Sequence, residues 1–390
     1  MNNHIRTIFN QLLEIVPRNE FNKSVGQHKW DRYVKNFTCR QQFMTILYSQ
    51  ATSKDSLRDI ELWLKTHSNK WYHLWLTSSA KNTISNANNK RSYKIYEELF
   101  YAMLHKCKQL DFDKKFNINN PLYSLDASVI DLCLSMFPWA KYRKRKWAIK
   151  LHVLLNNDSC IPEFVNITEW KKHEVNEFEK SLEKIPIWSI LTFDRWYVDY
   201  ERYNKMTEKW IFFVWRIKKN MDYVVEERYD VNEWWVISDE KIEIFNPWNR
   251  KYWELKGFRL VKYYDKEQDK TYSFITNNFE LSAKTIADIY RSRWDIEILF
   301  KWIKQNLKIK SFLWTSKNAV MSQIWIAMIY YLILAYIKYK TKMKYSLLEF
   351  TRIIKELLMS RMSLIDALWV PYNKMKEIKN KDWPIQLGLF

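Results

Sequence analysis

Three acidic side chains stand where apolar runs end or turn. Asp126 lies in LYSLDAS, Asp194 closes SILTFD, and Glu297 sits in the helical stretch IYRSRWDIEILFKWIKQNLKIK. Carboxylates gathered at about 4 Å repel one another strongly unless divalent cations lie between them. Two Mg²⁺ ions held this way, or Mn²⁺ in their place, activate a water or a 3′-hydroxyl and stabilise the leaving oxygen of a phosphodiester. Taken singly, each acid also fits a turn or a helix cap, so the chemistry resides in the set.

Around Glu297 the spacing is richer. Tyr290, Arg293, Glu297, Lys301, Lys304 and Lys308 follow one another at steps of three and four, which predicts one face of one helix. Ile289, Ile296, Leu299, Phe300 and Ile303 form the opposite, apolar face. A carboxylate flanked by cations reads either as a solvated surface or as a stripe whose cations meet phosphates near the acids.

The elements that must position these groups can be read along the chain. Residues 1–115 repeat apolar positions at helical intervals, as in IRTIFNQLLEIV and KIYEELFYAMLHKCK, with Ser56 and Ser85 as expected N-caps. They predict a small all-helical domain. From about 120 the runs LYSLDAS, WAIKLHVLLN, EFVNITE, SILTF and IFFVWR predict strands, with HEVNEFEKSLEKI as a helix between the third and fourth. Three strands, helix, strand, helix, strand is the order of an RNase H-like α/β fold. In that fold the first and fourth strands are neighbours, which would bring Asp126 and Asp194 to one end of the sheet. Residues 220–278 add strand-like stretches and predict an inserted β-subdomain, so 116–340 reads as one catalytic domain. The apolar run from Ile324 to Ile337 is shorter than the roughly 20 residues of a span and predicts a buried core helix. Residues 341–390 read as a helical tail.

Charge narrows the partner. Lys and Arg number 64 against 44 Asp and Glu, a net charge of +20 over 390 residues, which points to a polyanion, nucleic acid before an anionic membrane. A membrane-surface role is the weakest, because the basic residues are spread along the chain and do not border one apolar helix. Cys39, Cys107, Cys133 and Cys160 have no metal-ligand spacing and read as small apolar residues of a reducing compartment. The first 21 residues carry charges within every apolar stretch, unlike a signal peptide. Composition holds one anomaly. There are 3 glycines and 21 tryptophans, where about 7% Gly, on the order of 27 residues, is usual. Several tryptophans, including Trp210 and Trp314, stand in turn-like contexts that suit glycine. The expectation is that many are glycines encoded by UGA and read as tryptophan.

With these residues in view, Tyr290, Arg293, Glu297 and Lys304 match the Tyr-x2-Arg-x3-Glu-x6-Lys (YREK) signature of the DDE transposases of insertion-sequence family 4. The segment Leu125–His152 resembles the surroundings of that family's first catalytic Asp, and TFDRWYVDY its second. The helical N-terminus is similar to the one preceding the core in one branch of the family. The resemblance implies that Asp126, Asp194 and Glu297 are catalytic and bind two Mg²⁺ ions, with Mn²⁺ as a substitute. It implies that Tyr290, Arg293 and Lys304 contact DNA, to which the helical stripe adds Lys301, and that residues 1–115 bind transposon ends. The implied partners are double-stranded DNA, as terminal inverted repeats and target, and a second copy in a homodimeric synaptic complex. The implied setting is the cytoplasm of a prokaryote, at the nucleoid. The implied reaction is nicking, hairpin formation, hairpin opening and strand transfer. A stand-alone metal-dependent nuclease and an inactive or domesticated DNA-binding protein remain open. The family's glycine positions carry Trp147 and Trp196 here, whereas Trp139, Trp294, Trp302 and Trp325 fall where tryptophan belongs and are expected to be buried.

Overall fold

The computed structural model describes residues 6–54, 56–67, 74, 76, 78–112, 114–132, 141–143, 146–169, 178–179, 181–194, 200–217, 221–231, 233–244, 257–306, 316–343 and 345–369. Trp139, Trp196, Trp314, Cys133, Lys308 and, of the HEVNEFEKSLEKI segment, residues 173–177 and 180 lie outside this set, as does the side chain of Trp147. The chain divides into two compact units, one continuous (Phe112–Lys301) and one made of both flanking segments, Met1–Asp111 with Trp302–Phe390.

The flanking unit is helical. Its first part contains α1 (Ile8–Ile15), α2 (Arg18–Gln27), α3 (Cys39–Ala51), α4 (Leu57–Thr66), α5 (Lys81–Lys90) and α6 (Lys94–Lys108). Side-chain oxygens begin several of these helices by accepting otherwise orphaned backbone N–H groups. Thr38 and Gln41 form a reciprocal capping box at α3, and Ser56 caps α4. Ser85, expected as a cap, lies inside α5, which starts after Ala80. A short polar side chain marks a helix start only where the backbone before it is extended, and here the helix has already begun.

The continuous unit is built on a sheet. In chain order it contains β1 (Leu122–Leu132), β2 (Lys141–Arg143), β3 (Lys146–Asn156), β4 (Ile161–Glu169), β5 (Ile190–Phe193), α7 (Tyr200–Glu208) and β6 (Phe212–Arg216). Then come β7 (Tyr223–Arg228), β8 (Val236–Ile244), β9 (Phe258–Asp265), β10 (Lys270–Thr276), α8 (Ala283–Arg291) and α9 (Trp294–Asn306), which runs on past the unit's end. β3 pairs antiparallel with β1 and β4, and β1 and β5 are parallel, as are β5 and β6. The order β4-β3-β1-β5-β6 is that of an RNase H-like sheet. The strands of the insertion do not stand apart. β10 pairs with β6, and β9, β8 and β7 follow outward, so one ten-stranded sheet spans the unit. Alternation along the strands feeds two cores. Leu125, Leu191, Phe193, Phe213 and Trp215 pack with Tyr203 and Met206 of α7. Leu122, Ile190, Val214 and Phe274 pack with Ile286 and Ile289 of α8.

Beyond the sheet unit, α10 (Lys317–Thr341) and α11 (Leu347–Leu357) complete the helical unit. The sequence reading places α10 with the catalytic domain, but it packs on α3, α5, α6 and α11. By length and composition α10 could cross a membrane, yet 94% of its most apolar window is covered by protein. The two chain segments are also tied directly. Ile8 and Phe9 donate backbone hydrogen bonds to Ser360 and Leu358, and the Gln11 amide donates to the Met362 carbonyl at 2.7 Å.

Tryptophans divide into two kinds. Trp215, Trp302 and Trp325 are buried in regular elements. Trp188 and Trp210 are exposed and belong to the non-glycine residues with positive φ. Trp294, expected in the core, is 57% exposed. It opens α9 on the outward face, with the Arg293 guanidinium 5.9 Å above its ring.

Candidate active site

Strand register brings two of the acids together. β1 and β5 pair from Leu122–Ile190 to Leu125–Phe193, and the next residue on each chain is Asp126 and Asp194. Both follow the parity of Leu122 and Ile190, which face α8. Asp126 is half-buried, and its pKa is pushed up to about 6. Burial is the main cause. The Ala127 N–H, 2.7 Å from Oδ1, and Arg293 work the other way, while the charges of Asp194 and Glu297 raise it further. Both other carboxylates are therefore within electrostatic reach of Asp126.

Glu297 reaches this place from α9, and here the structure corrects the single helix expected from the spacing. α8 ends at Arg291, Ser292 and Arg293 form a turn, and α9 begins at Trp294. The apolar face survives the break, with Ile289, Ile296, Leu299, Phe300 and Ile303 all buried. Arg293 Nη2 donates to Glu297 Oε1 at 2.7 Å, and the guanidinium lies 5.6 Å from the Tyr290 ring. Burial works against the Arg293 charge, but Tyr290, Glu297 and Asp194 outweigh it and its pKa is raised. Burial likewise pushes the Tyr290 phenol up, with Arg293 opposing and Asp194 adding. Lys301 and Lys304 follow Glu297 on α9 and are exposed.

Beside these groups is a cavity of about 110 Å³ whose lining includes Arg216, Tyr263, Tyr272, Tyr290, Arg291 and Arg293. Arg216 ends β6 and lies 4.6 Å over the Tyr272 ring, while Arg291 is paired with Asp265 at 3.1 Å. Sequence reasoning missed Arg216, whose only signal was a cation closing the apolar strand FFVWR.

The donor set fits hard divalent cations. It consists of carboxylate oxygens, the ligand type of Mg²⁺ and Mn²⁺, and Asp126 is an acid whose charge its surroundings disfavour. Among the described residues, no three carboxylate, imidazole or thiol groups stand ready as a metal cage. Arg293 occupies Oε1 of Glu297.

Comparison with known proteins gives this arrangement its context. A family model described as "Transposase DDE domain" matches residues 120–333, and one described as a domain of unknown function (DUF4372) matches residues 4–76. The chain is 31% identical over 289 residues to the putative transposase y4zB of Sinorhizobium fredii, covering 73% of this chain and 79% of that one. It is 26% identical over 282 residues to the probable transposase for insertion sequence element IS5377 of Geobacillus stearothermophilus, covering 70% and 72%. It is 22% identical over 295 residues to the putative transposase for insertion sequence element IS4SA of Synechocystis, covering 74% and 80%. A cryo-EM structure of a piggyBac transposase synaptic complex with hairpin DNA aligns over 98% of this chain and 85% of its own, with a TM-score of 0.46 and 11% identity. A family model over more than half of the chain, and a relative this similar over nearly three quarters of it, make the protein a member of the DDE transposases of the insertion-sequence 4 type.

Proposed function

We propose that this insertion-sequence transposase cleaves the ends of its element and joins them to target DNA by in-line phosphoryl transfer at Asp126, Asp194 and Glu297. The observation that carries this reading is the convergence on Asp126. A half-buried carboxylate on β1, just past where its pairing with β5 stops, feels a second acid just past the end of that parallel strand and a third from α9. Divalent cations held by these three residues, two Mg²⁺ ions or Mn²⁺ in their place, would supply charge neutralisation at phosphorus and activation of an oxygen nucleophile. The protein's own groups do the positioning. Arg293 and Tyr290 border the acids and bind the phosphate next to the scissile bond, and Lys301 and Lys304 extend the positive track along α9. The Asp126 carboxyl, whose pKa its surroundings push up to about 6, would have to give up its proton to hold a cation.

In this reading residues 1–115 recognise the terminal inverted repeats, a homodimer pairs both ends, and the chain works in the prokaryotic cytoplasm at the nucleoid. The net charge of +20 supports a double-stranded DNA partner. The test is product analysis. The full chain is incubated with Mg²⁺ and duplex DNA carrying the element's terminal repeat beside its gene. Nicked ends, hairpins and joined products are expected. Nicks without hairpins or joined products would reduce the protein to a nuclease, and retarded but uncut DNA to a binding protein.

A further inference from the structure

A buried chain of hydrogen bonds runs from the two strands that carry Asp126 and Asp194 to the helix that carries Glu297. Thr192 and Ser124 are register partners on β5 and β1, two residues before the acids, and their hydroxyls are 2.7 Å apart. Ser124 Oγ donates to Asn157 Oδ1 at 2.9 Å. The Asn157 Nδ2 then donates to the Ser292 carbonyl at 2.8 Å and to Asp295 Oδ2 at 3.2 Å. Ser124, Thr192 and Asn157 are all 0% exposed. The amide can sit only this way round, because its oxygen faces a hydroxyl donor and its nitrogen faces two acceptors. Ser292 precedes Arg293 in the turn between α8 and α9, Asp295 lies in the first turn of α9, and Lys115 pairs with Asp295 at 2.6 Å. No Gly or Pro breaks the helix there. The contact from Asn157 falls on the carbonyl that ends α8.

We propose that Asn157 is a positioning residue for the reaction. It fixes the α8–α9 turn to β1 and β5 two residues before the acids, and so sets where Glu297 and Arg293 stand relative to Asp126 and Asp194. This rests on the reading of those acids as the reaction centre. Without the amide, the Ser292 carbonyl and Ser124 hydroxyl lose partners in a buried place, and the turn is free to settle elsewhere. Supporting groups of this kind change metal affinity or activity by about 10–100-fold when removed. The experiment titrates Mg²⁺, then Mn²⁺, in DNA-end cleavage by the full chain, well below each variant's melting temperature. Asn157→Ala should raise the half-saturating metal concentration about 10–100-fold while metal-free DNA binding is unchanged. Ser124→Ala should move it less in the same direction, and it carries the test should Asn157→Ala fail to fold. Asp239→Asn, which breaks a buried ion pair elsewhere in the sheet, should melt earlier and keep the parental half-saturation. Parental half-saturation in both Asn157→Ala and Ser124→Ala overturns the proposal. Cleavage surviving in Asp126→Asn would instead overturn the reading beneath it.

A separate observation concerns Trp188 and Trp210. α7 ends with the Trp210 N–H donating to Thr207 O at 3.0 Å and the Ile211 N–H to Met206 O at 2.8 Å, with Trp210 at φ 55°. This is a Schellman helix end, whose left-handed residue is usually glycine. Trp188, at φ 63°, donates its N–H to the Trp210 carbonyl at 2.7 Å. The two indoles lie 5.1 Å apart, 48% and 62% exposed, whereas Trp215 and Trp325 are fully buried. A bulky side chain at positive φ is an outlier, and this chain holds 3 glycines and 21 tryptophans. We infer that both positions are glycine in the protein as its own cell makes it, from UGA codons read there as glycine. The gene's codons and the mass of the peptides spanning both sites, from protein purified from that cell, test this. UGA codons with glycine-mass peptides are expected, and UGG at both sites or tryptophan in the peptides overturns the inference. Trp210→Gly should also raise the melting temperature by about 2–4 °C, whereas Trp325→Gly lowers it. A fall in Trp210→Gly counts against the inference.

Discussion

Two clusters of partly buried charge lie in the same sheet unit, and they are built on opposite plans. At β8 and β9, Arg259 and Asp239 meet in a two-pronged pair at 2.8 and 2.6 Å, and the remaining guanidinium nitrogen reaches the Leu281 carbonyl at 2.6 Å. Every charge there is answered within the fold. Where the pairing of β1 with β5 stops, Asp194 and Glu297 add their charge to Asp126, and among the described residues Arg293 is the cation that acts against them. The first plan removes the cost of burial. The second leaves the charge of Asp126 disfavoured, which suits a centre that takes up positive charge from a ligand.

The contrast can be broken in several ways. The largest effect belongs to the acids themselves. Asp194→Asn or Glu297→Gln should cut end cleavage by about 10³–10⁶-fold, as when one member of a set acting as a unit is lost, with DNA retained in gel shifts. Asp239→Asn should do the reverse, leaving the cleavage rate intact while chemical denaturation shows a loss of about 3–5 kcal/mol, because Arg259 is stranded. Comparable rates in Asp194→Asn and the parent would erase the distinction between the clusters.

Smaller effects sharpen it. Arg293→Ala should weaken end binding and lower the log–log salt slope by about one unit, the share of one phosphate contact, as read by titration across salt concentrations. Asp126→Asn should show a pH-dependent gain in stability. The Asp126 pKa is raised in the fold, so its neutral form is the favoured one. Its contribution is intact below the ordinary value of 3.8 and is lost as pH rises through about 6. Cation-free Asp126→Asn should therefore melt with the parent near pH 4 and above it at pH 8. Identical melting curves at both would mean that Asp126 carries no burden.

The parts of this site that sequence made legible are those marked by local pattern. An acid closing an apolar strand placed Asp194, and helical spacing put Glu297 opposite a buried face. The turn at Ser292 was not legible, because Ile289, Ile296 and Ile303 keep helical period across it and its fastening comes from Asn157, far away in sequence. The continuous sheet was hidden for a related reason. Strand alternation shows which residues face a core but not which strand lies alongside, so the pairing of β10 with β6 had no local sign. Ser124 and Thr192, small polar residues within apolar strands, gave no hint of a shared role until their register was known.

The helical unit is made from both ends of the chain, with α10 as its buried axis and Ile8 and Phe9 bonded to Leu358 and Ser360. This orders events on the ribosome. The sheet unit can fold once its own residues emerge, but α1–α6 must wait for α10 and α11. At about 5–20 residues per second the delay is on the order of ten to forty seconds. Between Lys301 and the end of α11 at Leu357, about three to eleven seconds at that rate, the newborn chain has a complete sheet unit and an unfinished helical one. Any DNA recognition that depends on the helices begins only once α10 and α11 have been made.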